Sequence, residues 1–375
     1  MHILIAPNAF KNSLSATDAA EAIRIGLAQS NVKHTSACFP IADGGDGTAG
    51  LILKRCNGKS VEVHVNDPLS RPIKSVFGLI DKGKTAVIEM ANASGLRLLK
   101  ADELAPMQTS SYGTGQLMKQ ALDAGVNKII LAMGGSATVD GGCGILNALG
   151  IEFLDEAGQK LAPYPAQLEK MASINIAGLD KRIANCEIVV VCDVDNKLLG
   201  ENGAAAVFGP QKGATPDEVK RLDAFLKKFG EITLKQTGKG IANLKYGGAA
   251  GGATAGIHAW LNARLVNGIE YFLQLTGFEK SLAKADVVIT GEGSIDTQTM
   301  QGKGPFGVAQ MAKQKNLPVI GLAGKVPVDP DKKLLQYFDI LLAIGNEPVE
   351  LSVAIKNTRE NLIRTATSIG NMLAV

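Results

Sequence analysis

The chain is poor in the residue types that make several functions easy to recognise. Its five cysteines (Cys38, Cys56, Cys143, Cys186, Cys192) are odd in number and include no CxxC pair, so neither a disulfide framework nor a zinc cage is indicated. A reducing compartment, the cytoplasm, suits that usage. The four histidines (His2, His34, His64, His258) fall in no HExxH pattern and no GxSxG elbow accompanies them, which leaves a Ser-His-acid hydrolase without support. Aromatic residues make up 5% with a single Trp, too few for base-stacking platforms. The 39 Lys and Arg against 36 Asp and Glu leave a net charge of +3 with no block of one sign, so neither nucleic acid nor a membrane surface is expected as a partner. Long apolar runs are missing too: the longest uncharged stretch, residues 246–263, is Gly- and Ala-rich and reads as a glycine loop entering a buried helix. The opening HILIAP has no basic region or cleavage pattern before it, and export is not expected.

What the chain does have is apolar residues at 46%, mean hydropathy of +0.11 and 43 glycines, about one residue in nine. That composition folds, and 375 residues exceed one ordinary core. Short β-branched runs alternate with helical patterns at both ends. Strands are predicted at 3–6, 35–39, 287–290, 319–322 and 340–344, and helices at 16–29, 48–56, 305–315 and 349–372. Parallel strands need crossover helices, so the simplest account is an α/β protein in which both chain ends, 1–60 and 280–375, build one Rossmann-like parallel-sheet domain. Residues 61–279 then form an inserted mixed α/β domain. It opens with strands VEVHV, VFGLI and TAVIEM in antiparallel order, followed by helix 114–124, strand 129–133, helix 142–150 and strand 188–192. A long helix over 215–237 has Thr215 as N-cap and Pro216 at its first position.

Some motifs match in letter only. Residues 78–85, GLIDKGKT, satisfy GxxxxGK[ST], yet Thr85 leads into the strand-like AVIEM rather than a helix, so a hairpin is expected instead of a phosphate loop. GxGxxG recurs at Gly45, Gly47, Gly50 and at Gly302, Gly304, Gly307 without the strand that a dinucleotide fold requires at its first glycine. His258 reads as a packed histidine and Cys192 as a buried, inert thiol.

Five polar, glycine-rich stretches fall where strands end, the place at which open α/β sheets hold ligands. The first, APNAFKNSLSA, offers Lys11 and Ser13 to an anion ahead of a helix capped by Ser15. The second, PIADGGDGT, puts Asp43 and Asp46 around Gly44, Gly45 and Gly47, whose bare amides can approach a ligand. The third, AMGGSATVDGG, does the same with Gly134, Gly135 and Ser136. The fourth, VVCDVDN, ends in Asp193 and Asp195, and the fifth, VVITGEGSIDT, carries Glu292 and Asp296 and is followed by Lys303. Hard oxygen donors without paired His or Cys favour Mg²⁺, which bridges substrate phosphates, and this points to nucleotide chemistry. Asp193, Glu292 and Asp296 are the candidate metal ligands. Arg71, in the turn PLSRP, is a candidate for a carboxylate or phosphate because its guanidinium binds such groups in bidentate fashion.

Taken in order, IAPNAFKNSLSA, PIADGGDGT, EMANASGL, TSSYGTGQL, GGSATVDGG, CDVDN, FGPQKGAT, GGAAGG and VVITGEGSIDTQTMQGKGPFGVA closely resemble the bacterial glycerate kinase family, over nearly the full length. The chain departs from the family's common pattern at Asp46, often Glu, at Asp195, commonly Thr, and at Tyr246, often part of a Pro-Gly pair. The resemblance implies two α/β domains with the active site between them, and transfer of the ATP γ-phosphoryl group to D-glycerate, usually giving 2-phosphoglycerate. In that reading Mg²⁺ is held by Asp193, Glu292 or Asp296, and Asp193 or Asp296 orients the attacking hydroxyl. Lys11 and Arg71 meet negative charge, and amides at 44–47 and 134–136 meet phosphate. Partners are then small molecules, and assembly into a homo-oligomer stays open. The alternatives are a Mg²⁺-dependent kinase of another small hydroxy acid, or a two-domain sensor of organic acids or nucleotides.

Overall fold

The computed structural model describes residues 1–296, 299 and 302–375. Thr297, the last residue of the fifth glycine-rich stretch, and Gln298, Met300 and Gln301 after it lie outside the described residues. In chain order the strands are β1 (His2–Ile5), β2 (Thr35–Cys38), β3 (Lys59–Asn66), β4 (Pro72–Ile80), β5 (Thr85–Glu89), β6 (Lys128–Ala132), β7 (Glu152–Leu154), β8 (Ser173–Asn175), β9 (Glu187–Cys192), β10 (Arg264–Asn267), β11 (Val287–Ser294), β12 (Val319–Lys325) and β13 (Ile340–Ala343). The chain divides into two units. One contains Met1–Asp43 and Gly268–Val375, the other Gly44–Asn267.

In the first unit both chain ends contribute to one five-stranded sheet, in the order β13-β12-β11-β1-β2, with every neighbouring pair parallel. Helix Ala16–Ala28 buries Ala16, Ala19, Ala20, Ile23 and Leu27, a spacing of three and four residues that turns one stripe toward the sheet. Ser15 caps it, its Oγ accepting from the Asp18 amide at 3.1 Å. Leu362, Ala366 and Ile369 of helix Thr358–Leu373 complete that core over Ile3, Ile5 and Ile289. The two helices approach so closely that a Cβ on Gly26 would overlap the carbonyl oxygen of Ile363. Helix Gly304–Gln314 packs on β11 and β12. The helix predicted over 349–372 is two helices, Leu351–Lys356 and Thr358–Leu373, broken at Asn357.

The second unit is built on a six-stranded sheet, β10-β9-β6-β5-β4-β3. Strands β10, β9, β6 and β5 are parallel, whereas β5-β4-β3 run antiparallel. The GxxxxGK[ST] look-alike is the hairpin between β4 and β5, with a 3₁₀ turn over Asp81–Gly83. Helix Tyr112–Asp123 packs on β3, β4 and β5 and gives Leu117, Met118 and Ala121 to the core, and helix Pro216–Thr237 gives Leu222, Phe225, Leu226 and Phe229. Thr215 and Glu218 form a reciprocal capping box at the head of that second helix. Residues 246–263 give a 3₁₀ turn, Ala249–Gly252, and the buried helix Ala253–Leu261. Helix Thr48–Arg55, read from sequence with the terminal segments, packs on β4 and β5 of this unit. No helix among the described residues is long and apolar enough to cross a membrane.

Candidate functional site

In the first unit the strand order reverses between β1 and β11, so the crevice at their carboxyl ends is the expected ligand position of such a sheet. Thr290 Oγ1 donates to the Ala6 carbonyl at 2.7 Å and the Asn8 amide to the Gly291 carbonyl at 2.8 Å, which binds the two loops together where the strands end. Glu292 is 9% exposed there. Burial first, and then the Asp43 charge, raises its carboxyl from 4.5 to about 7, while Lys303, the Thr299 hydroxyl and Lys11 pull it down. Thr299 Oγ1 donates to Glu292 Oε1 at 3.2 Å and accepts from the Asp296 amide at 3.1 Å, so one hydroxyl links the Glu292 carboxylate to the main chain at Asp296. Lys11 is exposed and Lys303 is half-buried at the N-cap of helix Gly304–Gln314. Both lysines are close enough to Glu292 to act on its ionisation.

Two sequence candidates of this unit have structural partners. Asp43 Oδ2 accepts from Asn8 Nδ2 at 2.9 Å and from the Gly304 amide at 3.2 Å, so this carboxylate occupies a helix-start amide that an anion would otherwise use. Ser13 Oγ donates to the Ile355 carbonyl at 2.6 Å, which ties the loop down and removes its hydroxyl as a phosphate donor.

In the second unit the loops after β5, β6 and β9 all emerge from the carboxyl ends of parallel strands. The Gly134 amide donates to the Gly44 carbonyl at 3.0 Å, the Gly44 amide to Thr48 Oγ1 at 3.2 Å, and Thr48 Oγ1 to the Gly45 carbonyl at 2.6 Å. Gly44, Gly45 and Gly134 therefore brace one another. Gly135 has φ +71° and no Cβ to collide with the exposed Asp46, whose Oδ1 lies against it. The Leu96 amide donates to the Gly135 carbonyl at 2.9 Å and the Ala137 amide to the Ser94 carbonyl at 2.8 Å. That pairing leaves the amides of Gly135 and Ser136 with no acceptor among the described residues. Asp193 is half-buried at the end of β9, and Asp195 is exposed.

Arg71 has partners of its own. Its Nε meets Asp67 Oδ2 at 2.5 Å, its Nη1 meets Glu103 Oε1 at 2.6 Å, and its Nη2 faces the Leu98 carbonyl and Glu103. The guanidinium fork is taken up by carboxylates of its own unit. His258 packs as expected, its Nδ1 2.9 Å from the Ala263 carbonyl, and burial drives the Cys192 thiol well above its ordinary value.

Sequence reasoning left three residues of these loops unassigned. Glu89, at the end of β5, accepts from the Ala49 amide at 2.7 Å and holds the head of helix Thr48–Arg55; burial raises its carboxyl. Asp140 is fully buried and accepts from Ser111 N, Ser111 Oγ, Gly142 N and Gly144 N. Lys212, 2% exposed, donates to Ser136 Oγ at 2.9 Å and to the Thr138 carbonyl at 2.7 Å. Glu89 and Lys212 stand inside EMANASGL and FGPQKGAT, where a charged residue between small or apolar ones was the available signal.

Among the described residues no three His, Cys, Asp or Glu side chains are grouped as a metal cage. Mg²⁺ does not ask for one, since it takes one or two carboxylates and completes its shell with water and phosphate oxygens. Glu292 and Asp296 offer all-oxygen donors of that kind, and Thr299 ties the Glu292 carboxylate to the backbone of Asp296.

The Glycerate kinase family model matches residues 3–374. A glycerate kinase of Bacillus subtilis is 44% identical over 369 residues, covering 98% of this chain and 97% of the relative. A glycerate 2-kinase of Escherichia coli is 39% identical over 379 residues, covering 100% and 98%. The fold matches a crystal structure assigned as glycerate kinase 2 from Salmonella typhimurium LT2, with a TM-score of 0.83, 42% identity and coverage of 100% and 98%.

Proposed function

The chain belongs to the glycerate kinase family, and from that premise we propose that it transfers the γ-phosphoryl group of ATP to the 2-hydroxyl of D-glycerate, giving 2-phosphoglycerate and ADP. The observation that carries the reading is the continuity of the likeness from residue 3 to residue 374, which takes in every polar loop described above. Phosphoryl transfer asks the protein mainly to position reactants and neutralise charge, and the loops offer groups suited to both tasks.

In this reading the unpaired amides of Gly135 and Ser136 take phosphate oxygens, with Gly44, Gly45 and Gly134 holding that loop in shape. Lys11 and Lys303 supply positive charge beside Glu292 for a phosphate or the glycerate carboxylate. Glu292 and Asp296, or Asp193, hold Mg²⁺, which when bound offsets charge on the triphosphate. Asp296 or Asp193 accepts a hydrogen bond from the glycerate hydroxyl and aims it at phosphorus. The reaction runs in the cytoplasm on small molecules alone.

The test is purified protein with ATP, Mg²⁺ and D-glycerate, followed by phosphorus NMR of the product. A phosphate on C2, coupled to one proton, is expected. Absence of ADP despite ligand-induced thermal stabilisation would replace the kinase by a sensor, and ADP formation only with other hydroxy acids would move the acceptor.

A further inference from the structure

The ammonium of Lys212 is enclosed under the 134–140 loop with two acceptors, Ser136 Oγ and the Thr138 carbonyl. An ammonium has three N–H donors and no acceptor capacity, so Ser136 Oγ accepts a hydrogen bond from it and must turn its own hydroxyl proton elsewhere. Its one side-chain hydrogen bond among the described residues is the one it accepts from Lys212. Next to it the amides of Gly135 and Ser136 are also unused, and Thr138 Oγ1 is a fully enclosed side-chain atom without a hydrogen-bond partner among the described residues. Buried polar groups of a folded protein are almost always paired, so several orphan polar groups around one lysine mark a place for a ligand.

We infer that Lys212 is a positioning residue that fixes the Ser136 hydroxyl as a hydrogen-bond donor and, with the Gly135 and Ser136 amides, forms a cradle for an oxyanion of the substrates. Burial draws the lysine down to about 7, and the charges of Asp140 and Asp193 push it back up. An anion above Ser136 acts in the same direction as those carboxylates. This inference rests on the kinase reading and adds to it the group that orders the loop. The oxyanion is either an ATP phosphate or the glycerate carboxylate, and the assay separates them.

The experiment compares wild type with Lys212→Met and Ser136→Ala, measuring kcat, KM for ATP, KM for D-glycerate and melting temperature. The expected result is a native-like melting temperature with at least a tenfold rise in one KM; the ATP value identifies phosphate and the glycerate value the carboxylate. A purely structural lysine lowers the active fraction and leaves both KM values at wild type, and that outcome overturns the inference. If Lys212→Met does not fold, Ser136→Ala, which keeps the lysine, is judged by the same split with a threefold threshold. Wild-type turnover tests the kinase reading by itself. Should it be absent, the melting-temperature rises given by inorganic tripolyphosphate and by D-glycerate are compared in Ser136→Ala: loss of either supports the cradle, and both unchanged refutes it.

Discussion

Asp140→Asn is the sharpest test of how the second unit holds its loops. Three donors, the Ser111 amide at 2.8 Å, Ser111 Oγ at 2.7 Å and the Gly144 amide at 3.1 Å, converge on Oδ2, while the Gly142 amide donates to Oδ1 at 3.0 Å. Asparagine has one acceptor oxygen. Its best orientation keeps that oxygen on the three-donor side and turns the NH₂ against the Gly142 N–H, which leaves two donors facing each other in an enclosed place. Unsatisfied buried donors cost about 1–3 kcal/mol, and the remaining bonds lose their charge assistance, so a total loss of about 3–4 kcal/mol is expected. Removing the buried charge returns part of its desolvation, which keeps the figure below that of an alanine. Urea unfolding followed by Trp260 fluorescence is the assay, because Trp260 lies in the same unit with its Nε1 3.2 Å from Thr233 Oγ1. A loss under about 1 kcal/mol would refute the donor count as the source of stability. The Asp140 charge also favours the Lys212 ammonium, so the double variant Asp140→Asn, Lys212→Met is expected to fall short of the additive loss by about 1 kcal/mol.

Glu292 provides a pH test in metal-free, ligand-free protein. Its carboxyl is raised from 4.5 to about 7 in the fold, so its contribution to stability is fully present below 4.5 and lost as pH rises through 7. Glu292→Gln, which still accepts from Thr299, should therefore stabilise the protein at pH 8 by up to roughly 3 kcal/mol, have little effect at pH 4.5, and lower turnover at least a hundredfold; an equal gain at both pH values would show that burial does not hold the carboxyl neutral. Arg71→Ala should keep kcat and both KM values within threefold of wild type, since its fork is filled by Asp67 and Glu103; a large rise in the glycerate KM would restore Arg71 as a substrate ligand. Gly26→Ala should lower stability by about 1–3 kcal/mol through overlap with the Ile363 carbonyl, seen as a lower melting temperature with turnover unchanged in the surviving native fraction.

The division between what the sequence revealed and what it hid follows the range of the interactions. Periodicity, capping and turn chemistry act over a few residues, so the parallel strands at both chain ends, the Thr215 capping box and the false phosphate loop at 78–85 could be read directly. Strand β10 was missed because RLVN offers two apolar residues and no alternation, and only its ladder to β9 makes it a strand. Side-chain roles are harder because partners are remote in the chain. One of the two carboxylates paired with Arg71, Glu103, is 32 positions along, and the Ser136 hydroxyl that makes Lys212 informative is 76 positions away. The same reasoning explains why glycine loops were found more easily than the acids that hold them. A bare amide advertises itself through the Gly residues around it, whereas Glu89 and Asp140 look like ordinary polar residues until the remote helix starts at Ala49 and Ser111 are brought to them by the fold. A charged residue set among small or apolar neighbours at the end of a buried strand, as Glu89 is after TAVI, has to be neutralised by something distant. Such residues are where sequence reading of this fold can be extended, because burial demands a partner even when the sequence does not name it.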